Sequence, residues 1–254
     1  MQDTGYGTAV FLRACRITAA CREIEGSGPR ARWRRFRAGS LGLIWYQLRL
    51  PRVTIRPTTS RSGEMIREHF AIRHEGRHRY RGAQGVLTLP VEFPEYLRGR
   101  HRQAVRTNVG HAKQAGFTVS SFALDSWMPG ADDSRLPYIS PGPVERWLVL
   151  DAEGQIVADS IVSIDEQVAL LHGLVSSASN ARWLLHTAIV ERLCGCCEVL
   201  VTNSDDAYLM GPGNQHFQRL LGYRVSRLRI APRAHAPRVA QASHPAALSW
   251  PPGE

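Results

Sequence analysis

The sequence predicts an α/β domain on a mixed, mostly antiparallel sheet with crossover helices. Three observations predict it. Short apolar runs separated by tight turns fill residues 144–176, an amphipathic stretch at 181–193 leads straight into an apolar run, and a second helix–strand pair ends at Ile230. A length of 254 residues, 43% hydrophobic and 21% charged, is globular composition with enough chain for a substantial core. The longest uninterrupted apolar-aromatic run, Leu41–Tyr46, is far short of the roughly 18–20 residues of a membrane span. The first thirty residues carry no apolar segment of the secretory kind. Five cysteines, an odd number, argue against a disulfide scaffold. The expectation is a soluble, cytoplasmic protein with no membrane partner.

The elements follow in order. Residues 1–63 are expected to be a weakly ordered, Arg-rich region: Arg30 to Arg37 holds five Arg in eight residues, and only Leu41–Leu50 resembles a strand. An over-extended start of the reading frame and an Arg-rich, acid-poor targeting segment are both readings of it. The domain proper is placed at 64–230. Val86–Leu89 is a strand stopped by Pro90. Pro94 opens a helix expected to run unbroken from Glu95 to Ala115, stopped by Gly116, with Leu97, Ala104, Val105, Ala112 and Ala115 as its apolar stripe. Thr118–Leu124 is a strand, and 126–143, with four prolines and two glycines, a loop. Strands at Trp147–Leu150, Gln155–Ile164 and Val168–Val175 are joined by turns at 151–154 and 165–167. Ser176–Asn180 caps a helix at Ala181–Leu193, Gly195 ends it, and Glu198–Thr202 is the next strand. Asn214–Leu221 is a short helix closed by Gly222, Tyr223–Ile230 the last strand, and 231–254 a disordered tail.

Charge is unevenly placed. Of 32 basic residues 31 are Arg, Lys113 being the exception, which reflects codon bias more than function. Residues 1–130 carry net +13 and residues 131–254 net −3, an asymmetry that points to an anionic partner.

Three antiparallel strands, a polar loop, a helix, a strand, a short helix ending Leu221-Gly222-Tyr223 and a last strand resemble the GNAT acyltransferase superfamily, whose final helix ends in Leu-Gly-Phe/Tyr. Leu89-Pro90, Tyr96-Leu97, the Arg-rich helix and Ala115-Gly116-Phe117 are similar to the Fem-type aminoacyl transferases within the GNAT-like group. The resemblance covers about residues 80–230. It implies a GNAT-like fold, an acyl-CoA donor such as acetyl-CoA, no metal, and a donor site at the crossover helix, here Val175, Ser176, Ser177, Ser179, Asn180, Ala181 and Arg182. Ser176, Ser179 and Ala181 stand where the family carries Gln/Arg, Gly and Gly/Ala, and Gln218 stands where it carries a general-acid Tyr. Tyr208 and His216 are the nearest residues able to replace that donor.

The residues allow the same assignments on physical grounds. The Ser176–Asn180 loop presents unpaired N–H groups and the positive end of a helix dipole to an anion, and it also has the composition of an ordinary cap. His172, inside an apolar strand, is either a general base for an amine or a core histidine. Asp159 interrupts an apolar strand and can hold a water, while Asp165 reads as a turn residue. Asn203–Asp206 follows a strand at the edge where α/β ligands bind. Cys194, Cys196 and Cys197 lack a second ligand pair and read as helix-end packing rather than a metal site. Arg98, Arg102 and Arg106, four apart on a continuous helix, would share a face and repel one another unless an anion such as tRNA or another nucleic acid lies over them; the alternative is a solvated face. Two functions follow. One is an acyltransferase moving an acyl or aminoacyl group from a thioester or ester donor to an amine. The other is a non-catalytic GNAT-like module that binds nucleic acid or a protein partner through its basic face.

Overall fold

The computed structural model describes residues 48–71, 73–74, 77–78, 83–124, 144–202 and 212–232. They run β1 (Arg52–Ile55), α1 (Arg61–Ala71), the paired β2 (Arg73–His74) and β3 (Arg77–His78), β4 (Ala83–Thr88), α2 (Phe93–Tyr96), a 3-10 turn (Arg100–Arg102), α3 (Gln103–Gln114), β5 (Thr118–Leu124), β6 (Val144–Leu150), β7 (Ile156–Ile164), β8 (Val168–Ser176), α4 (Ala181–Leu193), β9 (Val199–Thr202), α5 (Pro212–Leu220) and β10 (Arg224–Ile230). Eight strands form one sheet in the order β1-β10-β4-β9-β8-β7-β6-β5. Every pair is antiparallel except β1/β10 and β8/β9. This is the expected mixed α/β sheet with a crossover helix, α4, joining the parallel β8 and β9.

Local chemistry explains the meander. Asp151 Oδ1 accepts the N–H groups of Glu153 and Gln155 at 3.1 and 2.7 Å, and Gly154 takes φ 78°, so the β6–β7 turn closes on its own side chain. α4 is apolar nearly all round and is buried on most of its circumference: Trp183, Leu184, Leu185, Ile189, Val190 and Leu193 pack between α3 and the sheet. Each such side chain is worth roughly 1.5–3 kcal/mol on burial. Gly195 at φ 75° follows Cys194 and lets the chain turn back into β9. The other face of the sheet is covered by α1, whose Ile66 and Phe70 meet Ile55, Val86, Leu170, Val201 and Leu228.

Three features differ from the sequence reading. The helix expected at 95–115 is interrupted: α2 ends at Tyr96, Gly99 takes φ 92°, and a 3-10 turn precedes α3. Only glycine enters that conformation without strain, so the chain changes direction there. Upstream, β1 and α1 belong to the sheet and its second core, so the boundary placed at 63/64 falls inside α1. Finally, β4 runs Ala83–Thr88 where Val86–Leu89 is expected; it lies between β9 and β10, and Pro90 falls two residues beyond its end. The tail beyond residue 232, the loop at 126–143 and Cys15 and Cys21 lie outside the described residues.

Asp165 is more than a turn residue. It is 4% exposed, and its carboxylate accepts the Thr58 N–H at 2.8 Å, the Thr58 hydroxyl at 2.5 Å and the Ser60 hydroxyl at 2.8 Å. It thereby fastens the segment leading into α1. Asp165→Ala should cost about 2–3 kcal/mol, since hydrogen bonds to a charged acceptor contribute more than neutral ones. Asp165→Asn, keeping one acceptor oxygen, should cost about half. Urea unfolding checks this, and equal midpoints for wild type and Asp165→Ala would refute it.

Candidate functional site

The β8–β9 ladder has four registered pairs, the last Leu171↔Thr202. β8 continues to Ser176, while β9 ends at Thr202. Two parallel strands thus part at their carboxyl ends, where open α/β sheets place ligands. The notch between them opens into a cleft of about 230 Å³, many times the roughly 10–15 Å³ that one water needs. β8 contributes Leu171, Leu174 and Ser176, α4 contributes Arg182 and His186, β9 Thr202, and α5 with its turn Asn214, Phe217, Gln218, Leu221 and Tyr223. Along that side, the backbone of residues 172–176 has no strand beside it among the described residues.

Gly85 explains how closely this wall is built. A Cβ there would lie 2.7 Å from Thr202 Oγ1 and 2.9 Å from Gln218 Oε1. β4 therefore carries glycine where α5 presses on the sheet.

Arg182 stands in the first turn of α4, its guanidinium 4.5 Å from the Phe217 ring centroid. It makes no ion pair among the described residues, and its Nε is buried without a hydrogen-bond partner. A cation held this way, beside a helix N-terminus, is a ready anchor for an anionic group.

Deeper in, His186 is 1% exposed, and its Nε2 lies 2.9 Å from the Tyr223 hydroxyl oxygen. Burial, reinforced by the Arg102 charge, pulls the His186 pKa down to about 3, so the ring is neutral at working pH. Its Nδ1 has no partner among the described residues. A buried N–H left unmet costs more than an unmet ring acceptor, so we assign the proton to Nε2. His186 then donates to the Tyr223 oxygen, and the Tyr223 hydroxyl proton is left to point into the cleft. Burial raises the Tyr223 pKa well above its usual value, with Tyr96 adding to the rise, so that proton stays on.

The His186 shift has a measurable consequence. Its folded pKa lies below its unfolded one, so the unfolded chain binds the extra proton between about pH 3 and the unfolded value near 6.5. Stability from this group is complete above about pH 6.5 and is lost as pH falls, by up to about 1.4 kcal/mol per unit. Urea midpoints measured from pH 7 to 4.5 should fall less steeply for His186→Gln than for wild type. Identical slopes would show a solvated histidine.

The expected site residues divide. Ser176 and Arg182 line the cleft. The Ser176 hydroxyl donates to Ala178 O (2.5 Å) and Val157 O (3.2 Å), and the Ser177 hydroxyl and N–H both donate to Val157 O, so these two hydroxyls tie the loop to itself and to β7. Ala181 is fully buried, Ser179 and Asn180 continue the turn, and Val175 is 39% exposed. His172 lies on the opposite face, 1% exposed, 2.5 Å from the Ser163 hydroxyl and edge-on to His69; this position gives it no route to the cleft. Asp159 also faces away. It sits directly opposite Val175 in the ladder, whereas cleft-lining Ser176 is opposite Ala158, and its carboxylate is held by Arg146 at 2.6 and 3.2 Å. His216 is exposed on α5, 3.1 Å from an Arg219 nitrogen. Tyr208 and Asn203–Asp206 lie outside the described residues.

The Arg triplet does not form one face. Arg98 is exposed in the connection after α2, and Arg106 donates to Leu97 O and, at 3.0 Å, to Gly99 O, closing the turn at the glycine break. Arg102 is 9% exposed, 4.6 Å from the Tyr96 ring centroid, and donates to Leu220 O at 3.1 Å. Of the cysteines, Cys197 is buried and its thiol donates to Asp165 O at 3.1 Å; burial pushes its pKa up to about 12. The described residues contain no helix long and apolar enough to cross a membrane.

No protein-family model matches the chain. No curated protein matches it either. Among solved structures, a conserved protein of unknown function from Bacteroides thetaiotaomicron is 8% identical, with TM-score 0.40 over 57% of this chain and 60% of that one. L-PGS from Bacillus licheniformis is 12% identical, with TM-score 0.40 over 57% of this chain and 58% of that one. A GCN5-related N-acetyltransferase from Kribbella flavida is 15% identical, with TM-score 0.33 over 57% and 55%. The chain spans about three-fifths of the length of these proteins or less. At these scores the assignment of the fold rests on the sheet order itself.

Proposed function

We propose that this chain is a GNAT-like acyltransferase, moving an acyl or aminoacyl group from a thioester or ester donor to an amine in the cytoplasm. The observation that carries the reading is the parting of β8 and β9 beside the first turn of α4, with a cation that has no ion pair among the described residues and a phenol lining the same cleft. The donor set fits an acyl-CoA or another anion-bearing donor, because Arg182, without an ion pair among the described residues, adds its charge to the positive end of the α4 dipole. A bound donor supplies the activated carbonyl. The chain's own residues do the rest. Arg182 holds the anionic portion, the strand-free edge of β8 offers backbone N–H groups to a developing oxyanion, and Tyr223 gives its hydroxyl proton to the leaving atom. Neutral His186 positions the phenol through the 2.9 Å contact. The amine enters uncharged, and its nitrogen bonds to the carbonyl carbon as the bond to the leaving sulfur or oxygen breaks. Its surplus proton passes to solvent through the open side of the cleft, and a solvent proton restores the Tyr223 phenol.

Isothermal titration with acetyl-CoA and longer acyl-CoAs tests the reading. One member should bind, and Arg182→Gln should weaken it about tenfold, the loss of one charge-assisted contact. No heat across the series, together with no transfer from an aminoacyl-tRNA to small amines, would leave the transferase reading without support.

A further inference from the structure

The two strands at the far end of the sheet carry a charge pattern that neither the fold nor the cleft explains. β1 pairs in parallel with β10, and the register sets Arg52 beside Arg227 and Thr54 beside Arg229. Residues directly paired point to the same face. Arg227 is in turn paired with Ala83 of β4, and Ala83, Gly85 and Leu87 alternate onto one face. Leu87 belongs to the core beneath α4, so Arg52, Arg227 and Arg229 lie on the cleft face, outboard of α5. Like charges set side by side on neighbouring strands destabilise a sheet unless a counter-charge covers them.

Among the described residues, the segments that carry these strands supply none. Residues 48–63 and 212–232 contain eight Arg and no Asp or Glu. Arg52, Arg56, Arg224 and Arg229 are exposed, and none makes an ion pair among the described residues. Arg227 reaches back to Leu48 O at 3.0 Å, and its Nε is buried without a partner.

We propose that the β1–β10 face binds the phosphate backbone of a nucleic acid. Three features favour this occupant. Guanidinium groups make two-pronged contacts with phosphate oxygens. Successive outward residues on a strand stand about 6.6 Å apart, so Arg227 and Arg229 form a row instead of a point. An anionic bilayer would also be attracted, but surface-bound proteins add Trp, Phe or Leu anchors to the basic residues, and Leu48 is the one strongly exposed large apolar residue of these segments. No aromatic side chain of β1 or β10 offers a stacking platform, so contact is with phosphates and is insensitive to base sequence. The surface is independent of the transferase reading.

Binding of a fluorescein-labelled 20-base RNA and its duplex across a salt series tests it, with phosphatidylglycerol vesicles as the competing surface. Wild type should bind either nucleic acid with a steep salt dependence. Arg52→Gln combined with Arg229→Gln should flatten the slope of log K against log salt by about 1.4–1.8, that is 0.7–0.9 per lost phosphate contact. Its melting temperature should hold or rise, because a repulsion has been removed. An unchanged slope would overturn the proposal, as would absent RNA binding, vesicle binding without RNA binding, or weakened binding that merely follows a fallen melting temperature.

Discussion

Arg102→Ala is expected to lower stability by about 3 kcal/mol, which for a domain of this size is a fall in melting temperature of about 6–12 °C. Arg98→Ala should change it by no more than about 0.5 kcal/mol. Arg102 sits where three separate elements meet. Its guanidinium covers the Tyr96 ring of α2, donates to Leu220 O at the end of α5, and fills the space where a Cβ on Gly222 would be. Tyr96 runs alongside, its hydroxyl donating to Leu221 O at 3.2 Å. Truncation would leave a cavity and an unanswered carbonyl at the negative end of a helix. Burial draws the Arg102 pKa below its usual value, with Tyr96 opposing the shift, so the charge itself is costly there. Arg102→Met, which keeps the volume and drops the charge, should therefore cost clearly less than Arg102→Ala. Thermal melts of the three variants decide the matter; equal losses at 98 and 102 would contradict the clamp.

If the proposed transferase reading holds, Tyr223→Phe is expected to lower kcat by about 10²–10³ with little change in KM, the usual contribution of one well-placed proton donor. The phenyl ring keeps the packing and removes only the hydroxyl to which the proposal assigns the proton transfer. Some stability goes with it, about 1–2 kcal/mol, because the His186 N–H loses its acceptor. The pH profile carries a second signature. With the phenol pKa raised by burial, the general acid should stay protonated far into the alkaline range, so the alkaline limb of the wild-type rate should not fall near pH 10. Activity of Tyr223→Phe within threefold of wild type would remove Tyr223 from the chemistry.

Residues 118–124 and 181–193 form the strand and helix that the sequence indicates, to the residue. Glycines at positive φ mark their limits, Gly116 just before the strand and Gly195 just after the helix. The segment from 95 to 115 misleads for the opposite reason. A four-residue Arg spacing suggests one helix, while Gly99, the stronger local signal, sits inside it and breaks it. Tyr223 is visible as the end of the Leu-Gly-Tyr motif, but its partner is not. His186 interrupts the stripe of α4 with a polar residue and gains meaning only when β10 brings Tyr223 against it. His172 fails in the converse way: a histidine in an apolar strand marks burial without saying on which face. α1 has a signal, Met65, Ile66, His69 and Phe70 at helical spacing, muted by the Arg-rich chain around it.

The strand order has a bearing on how the chain reaches this state. β1 lies against β10, with Arg227 bonded to a carbonyl 179 positions away, and the Tyr96 and Arg102 bolts span 125 and 118 residues. β4, made early, has both its neighbours, β9 and β10, near the other end of the domain. On the ribosome the β5–β8 meander can close from local contacts alone, whereas β1, α1 and β4 must wait with their apolar sides unmatched until β10 emerges. High contact order of this kind slows folding and prolongs the exposure of unpaired edges. A nascent chain arrested before residue 224 should therefore protect the meander from protease and leave the upstream third open to cleavage, so that the last strand acts as the closing latch of the whole sheet.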